Sequence, residues 1–124
     1  MIAADTSVLI DYFQGNNNTQ TDKLDEVFIH HLLVLPPTVL VEILSDPFLP
    51  KKFVKKIEEL PLLELTENYW QRAGINRSKL ISKKLKARLA DTLIAQSCID
   101  HQVPLITRDT DFKNFVKYCG LILF

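Results

Sequence analysis

The chain has 124 residues, a mass of 14.3 kDa and a hydrophobic fraction of 47%, which supports one core and is too little for two independent ones. Fifteen Lys plus Arg balance 15 Asp plus Glu, so any affinity for nucleic acid must come from local patches rather than a global field. With only 3 Gly there is no GxGxxG or GxxxxGK[ST] loop, and enzymes that cradle phosphates on such loops are excluded.

Ile2 to Ala4 reads as a short strand that ends in Asp5-Thr6-Ser7, and Val8, Leu9, Ile10 and Phe13 then follow at helical spacing. Gly15 and Asn16 to Asn18 break that pattern. A helix around Asp22 to His30 leads to a second strand, Leu32 to Leu35, and Pro36-Pro37 stops it and opens a helix with Val39, Leu40, Ile43 and Leu44 on its apolar face. Pro47 and Pro50 precede a helix carrying Phe53, Val54 and Ile57, and Leu62 to Leu65 is a third strand candidate. Helices are expected from Glu67 to about Leu85 and from about Leu89 to Asp100, then a strand Val103 to Thr107, a short helix from Asp109 to about Lys117, and a last strand Leu121 to Leu123. Continuous apolar strands alternating with amphipathic helices argue for an α/β fold, a three-layer α/β/α sandwich with a mostly parallel sheet, as one domain over residues 1–124.

Cys98 and Cys119 form no CxxC pair, the chain start carries no export pattern, and no apolar run approaches the roughly 18 residues of a membrane span. A cytoplasmic protein with no membrane association is the expectation.

In a parallel sheet, ligands bind beyond the carboxyl ends of the strands. Asp5 follows the first strand, and Asp109 and Asp111 follow the strand ending at Thr107. Either Asp5 or Asp109 alone is explained by a helix N-cap. Asp91 shares a helical face with Ile94, Ala95 and Cys98, where a carboxylate must be paired, protonated or bound to a cation unless it caps a helix that starts one residue later. Glu42 lies on the polar side of its helix with Thr38, Ser45 and Asp46, which by itself describes a solvated side chain.

Four segments, Asp5-Thr6-Ser7, Val41-Glu42-Ile43-Leu44, Ala90-Asp91-Thr92-Leu93-Ile94-Ala95 and Thr107-Arg108-Asp109-Thr110-Asp111-Phe112, in this order and over the whole chain, resemble a PIN domain. The resemblance is closest to the small VapC-type toxins of toxin–antitoxin pairs. It implies a metal-dependent ribonuclease that leaves a 5′-phosphate and a 3′-hydroxyl. Asp5, Glu42, Asp91 and Asp109 would be its catalytic and metal-holding acids, with Asp111 as a further metal-side acid. It also implies that the hydroxyls of Thr6, Ser7 and Thr107 orient ligands or water. The residue chemistry agrees: crowded carboxylates are tolerated around a hard divalent cation, and oxygen-only ligands favour Mg²⁺ or Mn²⁺ over zinc. His30, His31 and His101 lie outside these motifs and are read as non-ligands.

Between Asn68 and Ala90 stand seven basic residues and no acid. Of these, Arg77, Lys79, Lys83, Lys84, Lys86 and Arg88, with Arg108 beside Asp109, are candidates to bind the RNA backbone. Tyr69 and Trp70 are read as half-buried core residues rather than base-stacking ones. The resemblance implies a cognate antitoxin protein as partner. Phe48, Leu49 and Phe53, apolar among prolines, are candidates for a homodimer or partner-helix surface. The competing functions are a non-catalytic PIN-like binding module, a stand-alone PIN nuclease without antitoxin, and a phosphoacceptor receiver. The receiver wants an acceptor Asp after a middle strand, where this chain offers only Glu64.

Overall fold

A computed structural model describes residues 1–124. Three short parallel strands, β1 (Ile2–Ala4), β2 (Leu33–Val34) and β3 (Leu105–Ile106), lie in the order β2-β1-β3. The first strand of the chain is therefore the middle of the sheet. Ala3 and Ala4, Leu33 and Val34, and Leu105 and Ile106 are all buried. Because neighbouring residues of a strand point to opposite faces, both faces must be covered, which is the three-layer arrangement. Two alanines suit the centre, since small side chains let helices approach the sheet from either side. Helix α2 (Thr19–Ile29) packs against β2 and β3 as well as against α1 (Thr6–Phe13).

The expected outer strands shrink to single bridges, Leu35 with Leu62 and Leu105 with Leu123. Leu35 exchanges hydrogen bonds with the Pro61 carbonyl and the Leu63 amide, and the chain then leaves the edge with Leu62 and Leu65 exposed. Pro61 has no N–H, so the ladder lacks a donor where it would have to extend. Leu105 likewise makes one rung, to the Ile122 carbonyl and from the Phe124 amide.

The helices form where the proline and capping signals stand. Pro37 opens α3 (Pro37–Leu44), and α4 (Lys51–Glu58) follows Pro50. Helix α2 starts earlier than expected, because Asn18 caps it with a reciprocal bond from Asn18 N–H to the Thr21 hydroxyl. Helices α5 (Tyr69–Ser82) and α6 (Leu89–His101) are separated at Lys84, which takes a left-handed φ of 60° without being glycine. Its C-terminal bonds, Lys84 N–H to the Ile81 carbonyl and Leu85 N–H to the Leu80 carbonyl, end the helix in a wrapped turn. The segment expected as one helix from Asp109 is a 3₁₀ turn (Thr110–Phe112) running into α7 (Lys113–Cys119).

Helix α6 is packed between α3, α5 and α7. Ile94 to Cys98 are all buried, so it has no wet face over that stretch. Its polar groups beyond Asp91 are met within the helix and by α5: Gln96 accepts from Asn76 and donates to Asp100, Arg72 pairs with Asp100, and Tyr69 donates to the Leu93 carbonyl. These contacts fix the helix that carries Asp91. No helix is long and apolar enough to cross a membrane.

Candidate functional site

Parallel strands deliver their carboxyl ends to one edge of the sheet, and the acids gather there. Asp5, Thr6, Ser7, Glu42, Asp91, Ile94 and Asp109 line one cleft of about 130 Å³. They come from the turn after β1, from α3, from the first turn of α6 and from the turn after β3.

Asp5 is 4% exposed and is the N-cap of α1. Its Oδ1 accepts from the Val8 amide at 3.1 Å and from the Ser7 hydroxyl at 2.9 Å, and its Oδ2 accepts from the Thr107 hydroxyl at 2.5 Å. Burial raises its pKa above the usual carboxylate value; the bonds from Thr107, Val8 and Ser7 oppose the rise, and the charge of Asp109 adds to it. Thr107 also accepts from the Asp109 amide at 3.0 Å, so one hydroxyl connects two acids. Asp109 caps the following turn, accepting from the Asp111 amide at 2.8 Å. Capping and a place in the cleft thus coincide in Asp5 and Asp109.

Asp91 is not an N-cap. Arg88 holds that position, and Asp91 sits in the first turn of α6. Its Oδ2 is buried without a hydrogen-bond partner. Burial first, then the charge of Asp109, push its pKa up to about 6; Arg88 opposes this, and Asp111 and Asp5 add to it. One oxygen each of Asp91, Asp109 and Asp111 lie within 4.8 Å of one another, a spacing that suits a divalent cation. A buried carboxylate oxygen with no donor, beside two more carboxylates, is what a cation would satisfy, so the oxygen-only donor set fits a hard divalent cation. Glu42 is exposed on the rim, and its Oε1 accepts from the Thr6 hydroxyl at 2.7 Å.

The basic residues divide. Arg77 donates to the Ala87 carbonyl at 2.8 Å, Lys79 to the Tyr118 carbonyl at 3.4 Å, and Lys83 lies over the Tyr118 ring at 4.9 Å. Lys86 pairs with Asp111 at 3.1 Å, while Lys84 and Arg88 are exposed and make no ion pair. Arg108 is held by Asp11 at 2.5 Å. Nothing in the sequence singles out Asp11, because a partner 97 positions away leaves no signal in local spacing.

Two apolar expectations change. Tyr69 is core, but Trp70 is 62% exposed, resting edge-on against the Tyr69 ring instead of being half-buried. Phe48 is open to solvent, whereas Phe53 stacks on Phe13 at 4.7 Å and Leu49 packs on the core. His101 bonds the Glu64 carbonyl at 2.7 Å, and His30 and His31 are exposed. A larger cleft, about 360 Å³ and lined by Phe28, His31, Leu33, Lys56, Glu59, Leu60 and Pro61, lies where β2 begins and offers one carboxylate.

No curated protein matches the chain significantly. Among solved structures it resembles chains of VapBC2 from Rickettsia felis bound to a promoter DNA fragment (TM-score 0.77, 20% identity, covering 100% of this chain and 98% of that one). It also resembles FitAcB from Neisseria gonorrhoeae (TM-score 0.72, 20% identity, 100% and 96% covered). A third is VapBC-5 from Mycobacterium tuberculosis, a member of a family of toxin–antitoxin systems (TM-score 0.72, 16% identity, 99% and 98% covered). These likenesses give the fold. The family model for the PIN domain matches residues 2–118, nearly the whole chain, and the protein therefore belongs to the PIN domain family.

Proposed function

We propose that the protein is a metal-dependent endoribonuclease and the toxin of a type II toxin–antitoxin pair. The observation that carries this reading is the buried, partnerless Asp91 Oδ2 within a cluster of carboxylates at the carboxyl edge of a PIN-family sheet. Asp5, Asp91 and Asp109, with Glu42 on the rim and Asp111 beside them, would hold Mg²⁺ or Mn²⁺. A divalent ion in such a site supplies an activated water nucleophile and neutralises charge on the phosphodiester.

The chain's own residues do the rest. Thr107 and Ser7 orient Asp5, Thr107 fixes Asp109 from the other side, and Thr6 holds Glu42 at the mouth. Exposed Arg88, whose charge acts on Asp91, and exposed Lys84 in the same link would offer positive charge to an RNA backbone that an acidic cleft would otherwise repel. The toxin part of the reading is supported by the fold shared with chains from VapBC and FitAB complexes, and by apolar Val41 and Leu44 exposed beside Glu42, a surface suited to a partner's helix.

The test is cleavage of a mixed RNA with and without EDTA, alongside Asp5→Asn and Asp109→Asn. Expected is Mn²⁺-dependent cleavage that both substitutions abolish; undiminished cleavage in EDTA or in both variants overturns the nuclease reading. Growth arrest on expression alone, relieved by a co-expressed small partner that copurifies, is expected of a toxin. Cleavage without arrest or partner leaves a stand-alone nuclease.

A further inference from the structure

Lys86 stands in the link between α5 and α6, and its Nζ is 3.1 Å from Asp111 Oδ2. Read as a surface lysine it would be unremarkable, but the backbone beneath it is tied on three sides. Asn114 of α7 donates to the Lys86 carbonyl at 3.3 Å, Arg77 of α5 donates to the neighbouring Ala87 carbonyl at 2.8 Å, and the left-handed Lys84 locks the start of the link. The link is therefore built to present this residue to the acid cluster. Arg88, the other cation nearby, makes no ion pair.

Three carboxylates whose oxygens lie within 4.8 Å of one another carry more negative charge than one divalent ion cancels, and one arrangement that answers this is two divalent ions roughly 3.5–4 Å apart. We propose that Lys86 is the built-in second cation of this cluster: its ammonium, held on Asp111, fills the role of a second divalent ion, and the protein takes only one. The inference rests on the metal-dependent reading above. Asp111 is then neutralised by the protein itself, and the single ion is left to Asp91 and Asp109, the other two members of the close cluster, with Asp5 lining the same cleft. The half-exposed ammonium keeps donors free for a phosphate oxygen beside the cluster.

The experiment counts Mn²⁺ per chain, by calorimetric titration and by the paramagnetic signal of unbound ion, in wild type, Lys86→Met, Lys86→Gln and Lys86→Arg, without RNA. Thermal melts in EDTA establish that each variant is folded. Wild type and Lys86→Arg are expected to bind one ion. Lys86→Met and Lys86→Gln are expected to bind a second, or to bind the first roughly tenfold tighter, equivalent to about 1.4 kcal/mol. Two ions in wild type, or neutral variants equal to wild type in number and affinity, overturn the inference. Should wild type bind none and the neutral variants one, Lys86 is the site's cation and the reading of a resident metal fails instead. No binding by any of them removes both.

Discussion

Thr107 ties two carboxylates together with a single hydroxyl, donating to Asp5 and accepting from the amide of Asp109. Thr107→Val keeps the shape and removes both bonds, leaving one backbone N–H unpaired. A loss of about 1–3 kcal/mol in urea unfolding is expected, with cleavage falling sharply, while Thr107→Ser recovers most of both. Asp91 acts in the opposite direction, because the folded metal-free chain holds it against its preference. With a pKa raised from 3.8 to about 6, the native state binds a proton more tightly than the unfolded chain, so stability falls as pH rises through that window and stays low above it. Asp91→Asn should remove this dependence. In EDTA the wild type is expected to lose about 1–2 kcal/mol relative to the variant as pH rises from roughly 4 to 6, the figure being discounted for the solvent that reaches the group. A Mn²⁺-induced rise in melting temperature should appear in the wild type and shrink in the variant; equal rises in both would remove Asp91 from the metal centre. Asp91 was legible in the sequence because helical spacing set a charge among Ile94, Ala95 and Cys98. The grip of Asp11 on Arg108 and of Lys86 on Asp111 was not, since both depend on pairings that only the folded chain makes.

Elements were readable where their ends carry chemistry. Pro36-Pro37 and Pro50 mark the starts of α3 and α4 almost to the residue. The three asparagines before α2 read as a break, yet the last of them is the cap, and the reciprocal bond with Thr21 makes it part of the helix. Asn18→Ala should lower stability by about 1 kcal/mol in thermal or urea unfolding and leave Mn²⁺ binding in place, since Asn18 does not line the acidic cleft. The division between α5 and α6 was hidden for a different reason. Left-handed turns are usually announced by glycine, and here Lys84 takes the conformation at a cost of roughly 1 kcal/mol, leaving no mark in composition. The edge strands were over-read because an apolar run such as Leu62 to Leu65 has strand character whether or not a ladder can reach it. Pro61 and the early departure of the chain limit this one to a bridge.

At the scale of the molecule, a net charge of zero still leaves acids gathered in the cleft, Arg88 close enough to act on Asp91, and Lys84 exposed in the same link. Binding of a single-stranded RNA in EDTA should weaken with salt, and the logarithmic slope should fall by about 0.7 for each phosphate that Lys84→Ala or Arg88→Ala leaves without a neutralising cation. Arg77→Ala is expected to act through stability, because its guanidinium secures the Ala87 carbonyl. The fold class and the parallel sheet followed from alternating patterns, but the strand order did not, and the order has a consequence in time. The middle strand is made first, and its pairing with Leu105 and Ile106 spans about a hundred residues of chain. Pairings so distant in sequence form slowly and late. A growing polypeptide already carries Asp5, Glu42 and Asp91 while one flank of β1 stands open, and it has neither Thr107 to turn Asp5 nor Asp109 to complete the cluster. The cleft becomes whole only after residue 111 has been synthesised and β3 has docked, so a chain with the proposed activity would stay inert until then.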